Sequence, residues 1–163
     1  MKGSDLLSQA EGETTEALED LRDLARGIYP PLLADQGLHA ALASQARKSP
    51  LPVTVEADHL SRYDQDTEAA VYFCCLEALQ NTAKYSGATG AAITLAEDGG
   101  DLTFEVTDDG AGFDPDRTGY GTGLQGMADR LSALGGALTV RSAPGAGTTV
   151  TGRLPVRVLE PVG

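Results

Sequence analysis

The sequence predicts an α+β fold: a two-layer sandwich in which a mixed β-sheet carries helices on one face. Three observations predict it. Helical periodicity dominates the first half of the chain, and two strand pairs with glycine-bearing connections fill the second half. Between them, Asp66 to Ser86 forms one long amphipathic helix around which the rest is arranged.

Taken in order, Met1 to Thr15 is polar and acidic and is expected to be loose or partly helical. From Thr15, the positions Leu18, Leu21, Ala25 and Ile28 make a narrow helical seam suited to pairing with another helix. Tyr29-Pro30-Pro31 ends it, because proline cannot continue a helix. After a turn at Asp35-Gln36-Gly37, a second helix is expected from Leu38 to Arg47, with Leu38, Ala41 and Leu42 inward. Pro50 and Pro52 frame a break before Val53 to Ala57, which alternates as a strand does. Then comes the long helix, closed by Gly87. Ala91 to Ala96 and Leu102 to Thr107 read as a hairpin about Glu97-Asp98-Gly99-Gly100-Asp101. Phe113 to Tyr120 is expected to be a loop, and Leu124 to Leu134 a helix ending at Gly135-Gly136. Leu138 to Ser142 and Thr148 to Leu154 are the last strands, joined by Pro144-Gly145-Ala146-Gly147.

Composition narrows the function. With 163 residues, 41% hydrophobic, the chain can bury a real core. A net charge of −12 repels nucleic acid and anionic lipid, so neither is an expected partner. Cys74 and Cys75 are adjacent in a helical pattern, which suits neither a structural disulfide nor a zinc site. Reduced cysteines fit a cytosolic setting, and no signal peptide is visible. The most apolar run, Ala69 to Leu79, is too short to span a bilayer.

On the long helix, Tyr72, Cys75, Leu76, Leu79 and Ala83 form an apolar stripe, and Glu77, Asn81 and Lys84 gather on the other side. Such a polar trio is ordinarily a solvated face. Phe73 and Cys74, one turn earlier on that side, argue that something covers it. Two glycine-rich stretches could do so. Asp108-Asp109-Gly110-Ala111-Gly112 follows a strand; by itself it is a tight turn, or else Asp108 accepts from an exocyclic amine while glycine backbone approaches a flat ring. Gly121-Thr122-Gly123-Leu124-Gln125-Gly126 spells a dinucleotide fingerprint. It comes after a polar loop rather than a strand, and no acid stands ~20 positions on, so that reading fails. A loop feeding a helix N-terminus, where free N–H groups attract phosphate, survives. No P-loop exists.

Taken together, these motifs resemble a known family. Glu77-x-x-x-Asn81-x-x-Lys84-Tyr85-Ser86 resembles the N box of sensor histidine kinases. Asp108-x-Gly110-x-Gly112 and Gly121-x-Gly123-Leu124-x-Gly126-Met127 resemble their two glycine boxes, and Gly145-x-Gly147-Thr148 their closing Gly-Thr. Order and spacing are similar to the Bergerat ATP-binding fold shared with gyrase B and the mismatch-repair ATPases, from about Leu38 to Pro155. The short lid, and Leu21-Arg22-x-Leu24-Ala25-Arg26-Gly27-Ile28-Tyr29-Pro30-Pro31, resemble the nitrate-sensor and DegS-like class. The division implied is 1–33 linker and end of a dimerisation helix, 34–156 catalytic ATP-binding domain, and 157–163 tail.

The resemblance implies ATP and Mg²⁺ as cofactors. Asn81 would hold Mg²⁺, Lys84 a phosphate, Tyr85 the nucleotide, and Asp108 the adenine amine with Thr148 in support. Gly110 and Gly112 would lie along the base. Gly121, Gly123 and Gly126 would hinge the lid, with Thr122 and Leu124 of the same box also on the nucleotide. Glu77 would orient water or the metal shell, or act as a base. The phosphorylated histidine of the family sits on a helix that does not match here. His39 and His59 fall in the wrong places and read as surface residues, so this chain alone should not autophosphorylate. Implied partners are the phosphoacceptor helix and a response regulator, with the fragment a cytoplasmic monomer and the parent kinase a homodimer. An anti-sigma serine kinase and a non-catalytic nucleotide-binding module are the rival readings.

Overall fold

The computed structural model describes residues 21–24, 26–58, 60–85, 87–112 and 122–156, without the side chains of residues 83–85 and 122. Residues 21–24 are helical, and Leu21 and Leu24 are buried in the main core. That turn does not run on to Ile28, which is exposed. Gly27, at φ 78°, donates to the Leu24 carbonyl and Ile28 donates to that of Asp23, a glycine closure reached before the prolines. Ala25 and the expected helix start at Thr15 lie outside the described residues.

Pro31–Gln36 forms a short helix, α1, that was not expected and that runs into the turn placed at Asp35-Gln36-Gly37. The prolines that cannot continue one helix open the next, because Pro31 stands at a position whose N–H would be unpaired anyway. Helix α2 (Leu38–Lys48) and strand β1 (Val53–Asp58) come next. Helix α3 (Gln65–Tyr85) starts where the Asp64 carboxylate accepts from the Thr67 N–H at 2.8 Å. Strands β2 (Ala91–Asp98) and β3 (Asp101–Asp108), helix α4 (Thr122–Ala133), and strands β4 (Ala137–Ser142) and β5 (Thr148–Pro155) complete the chain.

The five strands lie in the order β1-β2-β3-β5-β4. β1 is parallel to β2, as a strand pair joined through a crossover helix must be, and the other pairs are antiparallel. Period-two alternation leaves one face apolar. Its cross-strand rows are Val55, Ile93, Val106, Val150 and Val140, then Ala57, Leu95, Phe104, Gly152 and Leu138. Gly152 makes room in the second row, since a Cβ there would lie 2.1 Å from the Phe104 ring. Tyr72, Cys75 and Leu76 of α3 and Met127 and Leu131 of α4 belong to the same buried cluster.

One arginine ties the N-terminal elements to α3. Arg62 Nη2 donates to the Ala34 carbonyl at 2.9 Å and Nη1 to that of Asp35 at 3.3 Å, capping α1. The same guanidinium meets both oxygens of Glu68, at 3.0 and 3.1 Å. Glu68 is only 3% exposed. Arg62→Met leaves that carboxylate without its cation; because the arginine is itself partly in water, the expected loss is about 1–2 kcal/mol, read from urea denaturation.

Candidate functional site

The sheet register builds the site. One step beyond the two apolar rows, the same face carries Val53, Ala91, Asp108, Thr148 and Ser142 side by side. The row that begins apolar on β1 and β2 thus turns polar on β3, β5 and β4, next to the C-terminal half of α3. Asp108 is half-buried there. Its Oδ1 accepts from the Gly110 N–H at 2.8 Å, and its Oδ2 lies 3.0 Å from the Thr82 hydroxyl. Thr148 and Ser142 hydroxyls stand 2.9 Å apart, and Ser142 also donates to the Gly147 carbonyl at 2.9 Å.

Two glycine turns lock beneath this row. Gly145 N–H donates to the Ala111 carbonyl. A Cβ on Gly112 would lie 2.1 Å from the Ala143 carbonyl oxygen, and one on Gly147 would lie 2.3 Å from that of Asp108. Backbone touches backbone at both positions, so side chains are excluded.

The other wall is the contact between α3 and α4, which run antiparallel. Gly123 faces Glu77 and Asn81, the Cys74 thiol points at the Met127 carbonyl, and the Arg130 guanidinium lies 3.8 Å above the Phe73 ring. The polar side of α3 is therefore partly covered from Phe73 to Asn81. A Cβ on Gly123 would lie 3.0 Å from Glu77 Oε2 and 3.6 Å from Asn81 Nδ2. Of the three glycines expected to hinge the lid, Gly123 and Gly126 are helical, since α4 begins at Thr122, and Gly123 serves close helix approach; Gly121 lies outside the described residues. Leu124 is buried beside them. Both cysteines are buried thiols; desolvation raises Cys74 to about 12 and Cys75 well above its ordinary value.

Of the expected site residues, Asp108, Gly110, Gly112 and Thr148 meet at the ends of β3 and β5, and Glu77, Asn81 and Gly123 meet between α3 and α4; Leu124 and Gly126 lie on α4. The Lys84 and Tyr85 side chains, Gly121, the Thr122 side chain, the 113–120 loop and His59 lie outside what is described. His39 is exposed on α2, remote in sequence from every site element. Thr82 and Ser142 were not anticipated. Neither was the task of Asp109, whose carboxylate accepts from the Thr89 and Gly90 N–H groups at 2.8 and 3.2 Å and from the Thr89 hydroxyl. Asp109 staples the connection after α3 to the loop after β3.

Those hydrogen bonds hold Asp109 below its ordinary value. A depressed carboxylate stabilises the fold fully above its unfolded value near 4 and loses that contribution as pH falls through the folded one. Asp109→Ala should therefore melt at a constant interval below the parent chain above about pH 5. The interval should narrow as the pH is taken towards 2.

Residues 66–158 match the family described as "Histidine kinase-, DNA gyrase B-, and HSP90-like ATPase". The sensor histidine kinase MctS of Rhizobium johnstonii is 31% identical over 155 residues, covering 90% of this chain and 33% of that protein. The oxygen sensor histidine kinase NreB of Staphylococcus carnosus is 30% identical over 153 residues, covering 90% of this chain and 44% of that protein. The chain thus spans less than half the length of these relatives. In fold it is similar to the histidine kinase domain of a blue-light activated histidine kinase from Erythrobacter litoralis EL346, with a TM-score of 0.61 at 22% identity, covering 93% of this chain and 81% of that one. It is also similar to the mycobacterial sensor histidine kinase MprB, with a TM-score of 0.54 at 24% identity, covering 73% of this chain and 91% of that one.

Proposed function

Because the chain belongs to the histidine kinase-, DNA gyrase B- and HSP90-like ATPase family, we propose that it is the ATP-binding catalytic part of a cytoplasmic sensor histidine kinase. It binds Mg-ATP and passes the γ-phosphoryl group to a histidine on a dimerisation helix outside these 163 residues, for relay to a response regulator. The observation that carries this reading is the placement of Asp108 and Asn81. An acceptor carboxylate stands in the middle of an inward-facing row, and on the adjoining helix an amide and the Glu77 carboxylate lie against glycine.

Asp108 accepts the adenine amine. Thr148, its cross-strand neighbour, supports that edge of the pocket. Glu77 and Asn81 carry oxygen atoms of the kind Mg²⁺ takes, and the lack of a side chain on Gly123 lets the start of α4 come close to both. Among the described residues no group of three or more His, Cys, Asp or Glu could hold a metal ion. Asn81, with Glu77 beside it, would hold such an ion together with oxygen atoms of the nucleotide itself. When bound, Mg²⁺ neutralises phosphate charge that a chain of net charge −12 would otherwise repel. The N-terminus of α4 adds positive character beside Glu77 and Asn81, and Lys84 would neutralise a phosphate as the resemblance implies. Phosphoryl transfer depends on positioning and charge, so the site needs no strong nucleophile of its own. No described helix is long and apolar enough to cross a membrane.

Calorimetry with Mg²⁺ should show ATP bound at least about tenfold more tightly than GTP, because a carboxylate accepts and cannot donate. Labelled ATP should then mark a dimerisation-helix peptide bearing histidine, and not this chain alone. Equal affinity for the two nucleotides overturns the base assignment. Binding without transfer reduces the chain to a nucleotide-binding module.

A further inference from the structure

We propose that Thr82 is a positioning residue that sets how Asp108 presents its carboxylate, and thereby how strongly the site favours a purine bearing a 6-amino group; this rests on Asp108 as the adenine reader. Thr82 is 4% exposed and lies on the inward stripe of α3, one residue past Asn81. Its hydroxyl is 3.0 Å from the Ala78 carbonyl and 3.0 Å from Asp108 Oδ2. One hydrogen serves one acceptor at a time. The Ala78 carbonyl already has its helical N–H partner, and an ionised oxygen is the stronger acceptor, so the hydrogen goes to Asp108.

The consequence is geometric. Asp108 Oδ1 is held by the Gly110 N–H from the loop after β3, and Oδ2 by Thr82 from α3. Two donors from two separate elements fix the plane of the carboxylate. A carboxylate has about four acceptor positions, so each oxygen keeps one for a ligand amine. Without the hydroxyl, only Oδ1 is restrained. The carboxylate then turns about its own axis, and the amine loses a pre-aimed acceptor. Contacts to the phosphates, which lie with Asn81 and the glycine box, are untouched.

The test titrates the full 163-residue chain and Thr82→Val, Thr82→Ala and Thr82→Ser with Mg²⁺ and either ATP or purine riboside 5′-triphosphate, which is ATP without the 6-amino group. Ligand-free melting curves are recorded in parallel. The parent chain should prefer ATP by about tenfold or more. Thr82→Val should lose about tenfold in ATP affinity and stay within about twofold for the analogue, bringing the ratio near one. Thr82→Ser should restore the parent ratio. Thr82→Ala carries the same expectation as Thr82→Val should the latter fold poorly. A general loosening of the fold weakens both ligands together, so a parent-like ratio in Thr82→Val and Thr82→Ala overturns the proposal. A parent chain that binds both ligands equally, or neither, overturns the reading of Asp108 and this proposal with it.

Discussion

Asp108→Asn is expected to lower ATP affinity by about 100-fold while leaving the fold in place. Hydrogen bonds to an ionised group are worth about 1.5–3 kcal/mol, and the substitution removes both the charge and one acceptor. The internal partners survive the change. The amide oxygen still accepts from the Gly110 N–H. The new NH₂ faces the Thr82 hydroxyl, which accepts it and turns its own hydrogen to the Ala78 carbonyl 3.0 Å away. Every buried polar atom is therefore satisfied, and the melting temperature should move by no more than about 2 °C. ATP titration beside a melting curve decides the matter. Unchanged ATP affinity removes Asp108 from base recognition.

Gly112→Ala should have the largest effect on the fold around the site. Gly112 has φ 69°, a left-handed conformation that costs an L-residue about 1–2 kcal/mol. Its Cβ would also lie 2.1 Å from the Ala143 carbonyl oxygen and 2.8 Å from that of Gly147. Both are main-chain atoms of the β4–β5 turn, so no rotamer change relieves the overlap, and overpacking adds about 1–3 kcal/mol. The sum, about 3 kcal/mol, corresponds to roughly 10 °C in melting temperature, with ATP binding lost as the two turns separate. Gly145→Ala is the control. Gly145 shares the positive φ, at 79°, but nothing lies within 4 Å of its Cβ, so only the conformational cost of about 1–2 kcal/mol remains. Equal melting temperatures for the two variants would mean that the close approach of the turns does not matter.

Much of the fold is legible in the chain because it rests on local patterns. Each of the five strands begins and ends within two residues of its alternating run, and α3 is displaced by one residue from the helix read in the sequence. Two site features were also within reach. Leu102, Phe104 and Val106 face inward by alternation, which puts Asp108 on the inward side as well. Thr82 falls on the stripe of Cys75 and Leu79, where a polar side chain, once buried, must find a partner. Other features depend on neighbours far along the chain. Asp109 meets Thr89 at a separation of 20 residues, and Arg62 reaches Ala34 at 28. No spacing rule brings such pairs together before the sheet does. Helix α1 escapes the sequence for a different reason. Pro30-Pro31 reads as a stop, yet the second proline is also a sound first residue for a new helix.

The clamp formed by Arg62 and Glu68 has a mechanical consequence. Glu68 sits in the first turn of α3 and Asn81 in its last turn and a half, so both ride one unbroken rod, about 20 Å apart at 1.5 Å per residue. Tyr29, just ahead of the prolines, grips the same end through Asp66 at 2.8 Å. The segment ahead of the prolines and the Asn81 amide are thus joined through a single helix.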